Sequence, residues 1–155
     1  MRIMSIDKTY IKENKRERER LVKLVGDITD KELKLVIYKE GWTIAVMLGH
    51  IAFWDERRRI MLKIWKQKGV AKTPYIDDIV NDALIPLLLT VPPRKAAELV
   101  VFTATALDKE IEELPPEMIK QIEALKEPMS LNRGAHRKMH LDEIEAFLKA
   151  KHRVK

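Results

Sequence analysis

The sequence predicts an all-α protein, a four-helix bundle with additional short helices in its connections. Three observations carry that expectation. Four long stretches repeat apolar residues with helical spacing, no stretch alternates as a strand would, and the prolines fall between the stretches or at their ends. At 155 residues the chain suits a single domain, 1–155, able to bury one core.

The first helix is expected over 7–26, with Tyr10, Leu21, Leu24 and Ile28 on one stripe. Its middle is polar, since the stripe passes through Asn14 and Glu17. Either that half runs past the core into solvent, or these groups look into a polar cavity. Thr29 or Asp30 caps a short helix over 31–39, closed by Gly41. Thr43 caps the second long helix, which runs to Lys68 ahead of Gly69 with Met47, His50, Trp54, Met61 and Trp65 facing inward. A segment over 75–90 is helical in pattern, but Pro86 should kink or restart it. Pro92-Pro93 opens the third long helix, buried through Ala97, Val100, Ala104, Leu107 and Ile111. After Pro115-Pro116 a short helix spans 117–126, and Asn132 caps the last long helix, which reaches Lys151.

Composition narrows the function. Without cysteine there is no disulfide scaffold, thiolate metal site or cysteine nucleophile. No apolar run approaches the roughly 20 residues of a membrane span, and the polar start MRIMSIDKTYIKENKRERER lacks a signal-peptide core, so a cytoplasmic location is expected. The net charge is +6, yet Lys8 to Leu24 and Arg133 to Lys155 each mix seven basic with three acidic residues. A third basic cluster surrounds Arg57, Arg58 and Arg59. Interleaving at helical spacing describes solvated faces, so only weak, salt-sensitive nucleic-acid association is expected, and no specific binding.

The histidines carry most of the functional information. His152 lies in the charged tail KAKHRVK. His136 and His140 are one turn apart on the face continued by Ile144 and Phe147, and His50 lies between Met47 and Trp54 on the inward stripe. Three buried imidazoles each need a partner. Carbonyls or carboxylates can supply it, and so can one metal ion shared by all three.

The segments GWTIAVMLGHIAFWDERRR, VNDALIPLL and RGAHRKMHLDEIEAFL, in that order, resemble the DinB/YfiT-like superfamily. That superfamily includes the metal-binding N-terminal domain of mycothiol-dependent maleylpyruvate isomerase. The resemblance implies a bundle holding a divalent ion, zinc or nickel, on His50, His136 and His140. It also implies a metal-dependent enzyme of small-molecule chemistry: a thiol-dependent transferase or isomerase, or a hydrolase. The alternative is a non-catalytic bundle that binds a metal or a small ligand, with a second copy of the chain as a candidate partner.

Three nitrogen ligands leave a divalent ion at least one open position for water or a thiolate. With no cysteine here, such a thiol must be an exogenous low-molecular-weight one. The candidate pocket lining is Met47, Trp54, Asn81 and Glu143, with Arg57 two turns past His50 as an anchor for an anionic substrate. Glu143, three residues after His140, is the candidate proton shuttle or ligand-orienting group, unless it is an ordinary solvated carboxylate.

Overall fold

Local chemistry sets where each helix begins. In the computed structural model, which describes residues 7–38, 41–73 and 77–154, the helices are α1 (Thr9–Asp27), α2 (Asp30–Leu33), α3 (Ile44–Lys68), α4 (Asp77–Leu88), α5 (Pro93–Glu112), α6 (Pro116–Ala124) and α7 (Arg133–Arg153). Thr43 accepts from the Val46 N–H at 3.0 Å and Asn132 from the Ala135 N–H at 3.0 Å, each satisfying an otherwise orphaned donor. Pro93 and Pro116 take first-turn positions where the missing N–H costs nothing. Gly69, at φ +93°, closes α3 by donating to the Trp65 carbonyl. These boundaries are the ones the sequence predicts.

Two connections differ from expectation. The helix predicted over 31–39 is a single turn, held by a reciprocal capping box between Thr29 and Glu32. Its continuation is extended: Val36 forms an antiparallel bridge with Thr43, and the Ile37 N–H donates to the Trp42 carbonyl at 2.8 Å. Val36, Ile37 and Tyr38 favour extended backbone, which one short turn cannot override. The end predicted at residue 39 and the start predicted at residue 75 lie outside the described residues. In α4 the helix continues through Pro86 to Leu88 without restarting. The proline falls in the last turn, where its missing hydrogen bond costs least.

The four long helices close a ring in which α3 packs on α5, α5 on α1, α1 on α7, and α7 on α3. Its interior is two apolar clusters with a polar belt between them. One cluster gathers Leu21, Leu33, Ile44, Leu48, Val100 and Ile144, and the other Met61, Leu62, Trp65, Leu107, Ile111 and Ile119. Every long helix carries buried polar residues near the level where one cluster gives way to the other: Asn14 and Glu17, Asp55 and Arg58, Thr103 and Asp108, Arg133 and Arg137. Among the described residues no helix is long and apolar enough to cross a membrane.

Most basic residues of the two mixed stretches lie on solvated faces as expected, but the belt corrects that expectation for Arg133 and Arg137, which are buried. Arg137 has no exposed surface. It forks onto Asp108 at 2.8 and 3.0 Å and donates to Asp55 at 3.1 Å and to the Asn14 carbonyl at 3.2 Å. Arg133 donates to the other oxygen of Asp55 at 3.0 Å, and Arg18 reaches Asp108 at 2.6 Å. The odd polar middle of α1 belongs here rather than in solvent. The Asn14 amide bridges α1 to the start of α7, donating to the Leu131 carbonyl at 2.9 Å and accepting from the Gly134 N–H at 2.8 Å. Glu17, also buried, accepts from Arg20 at 2.7 Å.

That bridge brings two backbones together at Gly134, where a Cβ would lie 2.7 Å from the Glu13 carbonyl oxygen. Backbone on both sides leaves nothing flexible to yield. Gly134→Ala should therefore cost about 1–3 kcal/mol through overpacking, measured as a lower urea midpoint. An unchanged midpoint would mean the two helices have room to part.

Candidate metal centre

The crossing of α3 and α7 places the three inward histidines together. One ring nitrogen from each of His50, His136 and His140 lies within 4.8 Å of the others. Ring centroids are 4.8 Å apart for His136 and His140, 4.9 Å for His50 and His140, and 5.2 Å for His50 and His136. His50 and His136 are buried and His140 is half-buried. His152 stands apart on the exposed end of α7, with Nε2 2.9 Å from Glu32 Oε2.

Burial holds all three rings neutral. Desolvation pushes His50 to about 4, with the neighbouring His140 adding to it and the Asn81 side chain opposing. Desolvation also lowers His140 to about 4 and His136 to about 2, where nearby Arg133 contributes as well. Neutral imidazole is the metal-binding form.

The donor set fits a divalent transition ion. The Nε2 atoms of His136 and His140 are 3.2 Å apart. Two nitrogens each roughly 2.0–2.1 Å from one tetrahedral ion would be separated by about 3.3 Å. In the protein alone that contact needs one ring to donate to the other, and the accepting ring then carries its proton on Nδ1. The Nδ1 atoms of His50, His136 and His140 are all buried without a hydrogen-bond partner. An ion held on the facing Nε2 lone pairs would relieve the 3.2 Å contact between the two rings, and each Nδ1 would then carry its ring's proton.

The shifts fix a pH dependence for the metal-free protein. An unfolded histidine takes its proton near 6.5, whereas the folded cluster resists protonation down to about 4 or below. As pH falls through that window the unfolded state binds more protons, so stability falls with it. Chelated protein should show a declining melting temperature from about pH 6.5 to 4, and substitution of the three histidines should flatten that limb. A constant melting temperature across the window would contradict the burial of the cluster.

The histidines form the inner wall of a cavity of about 420 Å³. It is lined by Trp54, Asn81 and Arg57, together with Tyr38, Trp42 and Met129. The Trp54 indole donates to Asn81 Oδ1 at 2.9 Å, which ties α4 to α3 at the mouth of the site. Arg57 lies over the Trp54 ring, 5.4 Å from its centroid, with Nη1 2.9 Å from Met61 Sδ. Met47 is elsewhere: it is fully buried in the apolar cluster and contributes nothing to the wall. The inward stripe of α3 is wider than the cavity, so an inward position did not suffice to place a residue on its wall.

Glu143 stands one turn beyond His140, half-buried, and is not among the wall residues. Its Oε2 is buried without a partner, and desolvation raises its carboxyl above the ordinary range. The wall also includes Arg58 and Arg133, which the sequence reading did not select. Arg133 carried a usable signal, since it lies three residues before His136 and so on the same helix face. Trp42 was legible only as part of the segment GWTIAVMLGHIAFWDERRR that carries the resemblance, and Tyr38 carried no signal, because the bridge between Val36 and Thr43 is a pairing set only in the folded chain.

Fold and site together define a class, a four-helix bundle with a buried three-histidine cluster at the inner end of a cavity. The chain belongs to the DinB superfamily, whose family model matches residues 13–146, from α1 into α7 and across all three histidines. No curated protein matches it, and no solved structure does.

Proposed function

We propose that this chain is a cytoplasmic metal-dependent enzyme of small-molecule chemistry, with His50, His136 and His140 holding one divalent ion, zinc or nickel. The observation that carries this reading is the convergence of three neutral imidazoles, with two facing nitrogens 3.2 Å apart, at the inner end of a cavity. When bound, such an ion acts as a Lewis acid with an open position for a small thiol or water. The rest of the chemistry falls to the chain. α3 and α7 fix the direction of the imidazoles. The bond between Trp54 and Asn81 steadies the wall beside His50. Tyr38, Trp42 and Trp54 give the cavity an apolar body that excludes water from a bound substrate. Glu143, with its raised carboxyl, is the group available to hold or pass a proton near His140.

Because the chain has no cysteine, thiol chemistry requires an exogenous low-molecular-weight thiol, and we propose a thiol-dependent transferase or isomerase. The test uses cobalt-substituted protein. Glutathione, bacillithiol or mycothiol should change its visible spectrum through sulfur coordination, and His50→Ala should abolish that change. Turnover of simple esters without any thiol effect would replace this reading with a hydrolase. Failure of both thiols and water-exchange probes to reach the ion would leave a non-catalytic binding protein.

A further inference from the structure

Arg133 is a cation of the buried belt that, like Arg58, reaches the cavity. It is almost fully buried, yet it forms part of the cavity wall. Its Nε donates to Asp55 and its Nη1 to the Met129 carbonyl at 2.7 Å, which fixes the plane of the guanidinium. Its Nη2 makes no hydrogen bond to the described residues, although it is not sealed within the protein. A held guanidinium with unused donors at a cavity wall is a preorganised receptor for an oxyanion.

Charge balance points the same way. Asp55 and Asp108 are shared among Arg133, Arg137 and Arg18, so two carboxylates serve three guanidiniums. Arg137 sits between both carboxylates and Arg18 adds a second cation to Asp108, while Asp55 must divide its charge between Arg137 and Arg133. The member left under-neutralised on the cavity side is Arg133. A buried cation in that state is stabilised by an anion delivered from solvent. Among the described residues, no Asp or Glu lines the cavity to do it.

We propose that the cavity binds a small molecule bearing an oxyanion, a carboxylate or phosphate, which Arg133 anchors one helical turn from His136. The substrate's apolar body lies against Trp42 and Trp54, and its reacting end faces the three histidines. This assigns a substrate class to the site and rests on the enzymatic reading above. The anchoring step itself needs no metal.

Benzoate, phenyl phosphate and benzamide share a ring and differ in head-group charge, so they separate anion recognition from apolar packing. Binding to the chelated full chain can be followed by tryptophan fluorescence, since Trp42 and Trp54 line the cavity. At least one of the two anions should bind tenfold or more tightly than benzamide, and the tighter of the two identifies the head group. Arg133→Gln should remove that preference, and Arg133→Lys should retain only part of it. Equal binding of benzamide and both anions by the unmodified protein overturns the proposal without any variant, so a misfolded Arg133→Gln cannot rescue it. An unchanged anion preference in folded Arg133→Gln overturns it too. Loss of metal binding with anion preference intact would sink the metal centre alone, and metal retention with no anion preference would sink the anchor alone.

Discussion

Purified without chelators and reloaded, the protein should carry close to one divalent transition ion per chain. Substituting any one of His50, His136 and His140 with Ala should then weaken binding by more than about a hundredfold. Losing a group that merely supports a metal ligand costs about 10–100-fold in affinity, and each of these substitutions removes a ligand outright. His152→Ala is the internal control. That ring is exposed at the end of α7 and paired with Glu32, well apart from the cluster. Metal analysis of the four variants decides the matter. Comparable loss from all four, or no ion in the unmodified protein after reloading, would remove the metal centre.

Asp55→Ala should be the most damaging single change outside the histidines. Asp55 has no exposed surface and accepts from both Arg133 and Arg137. Its removal leaves Arg133 with only a carbonyl partner and Arg137 with Asp108 alone among carboxylates. Breaking a buried ion pair from one side costs about 3–5 kcal/mol, because the remaining charge stays buried. In a chain of this size that corresponds to a fall of roughly 6–20 °C in melting temperature. An exposed pair such as Lys23 with Asp27 provides the contrast, since solvent screens it and its loss should barely move the melting temperature. Thermal denaturation of Asp55→Ala beside Lys23→Ala tests this, and similar small shifts in both would mean that water reaches the belt.

The same substitution should also weaken the metal site, although Asp55 is not one of its ligands. The bonds from Arg133 and Arg137 to Asp55 join α7 to α3. His50 lies on one of those helices and His136 and His140 on the other, so their relative register depends on that link. A variant that melts early yet keeps full metal affinity would show that the apolar clusters alone hold the register.

What the sequence determined by itself was set by local rules. Thr43, Gly69, Pro93, Pro116 and Asn132 mark helix ends through capping and backbone restrictions that act within a few residues. The inward placement of His50, His136 and His140 follows from helical period alone, because each shares a stripe with apolar neighbours. What the sequence left open was settled by pairings over long separations. Asn14 and Glu17 read equally well as a solvated end or a polar interior until α7 packs against them.

Arg133 and Arg137 have the same spacing to nearby acids that a solvated face has. Their partners Asp55 and Asp108 are 78 and 29 residues away in the bonds observed. Met47 and Trp54 share an inward stripe, yet one is core and the other cavity wall, because α4 and the bridge at Val36 and Thr43 enclose only part of it. A helical period tells which side of a helix is inward, since that depends on the chain's own geometry. Only the packed bundle decides whether inward means apolar core, charged belt or open cavity, because that depends on what the neighbouring helix presents at the same height.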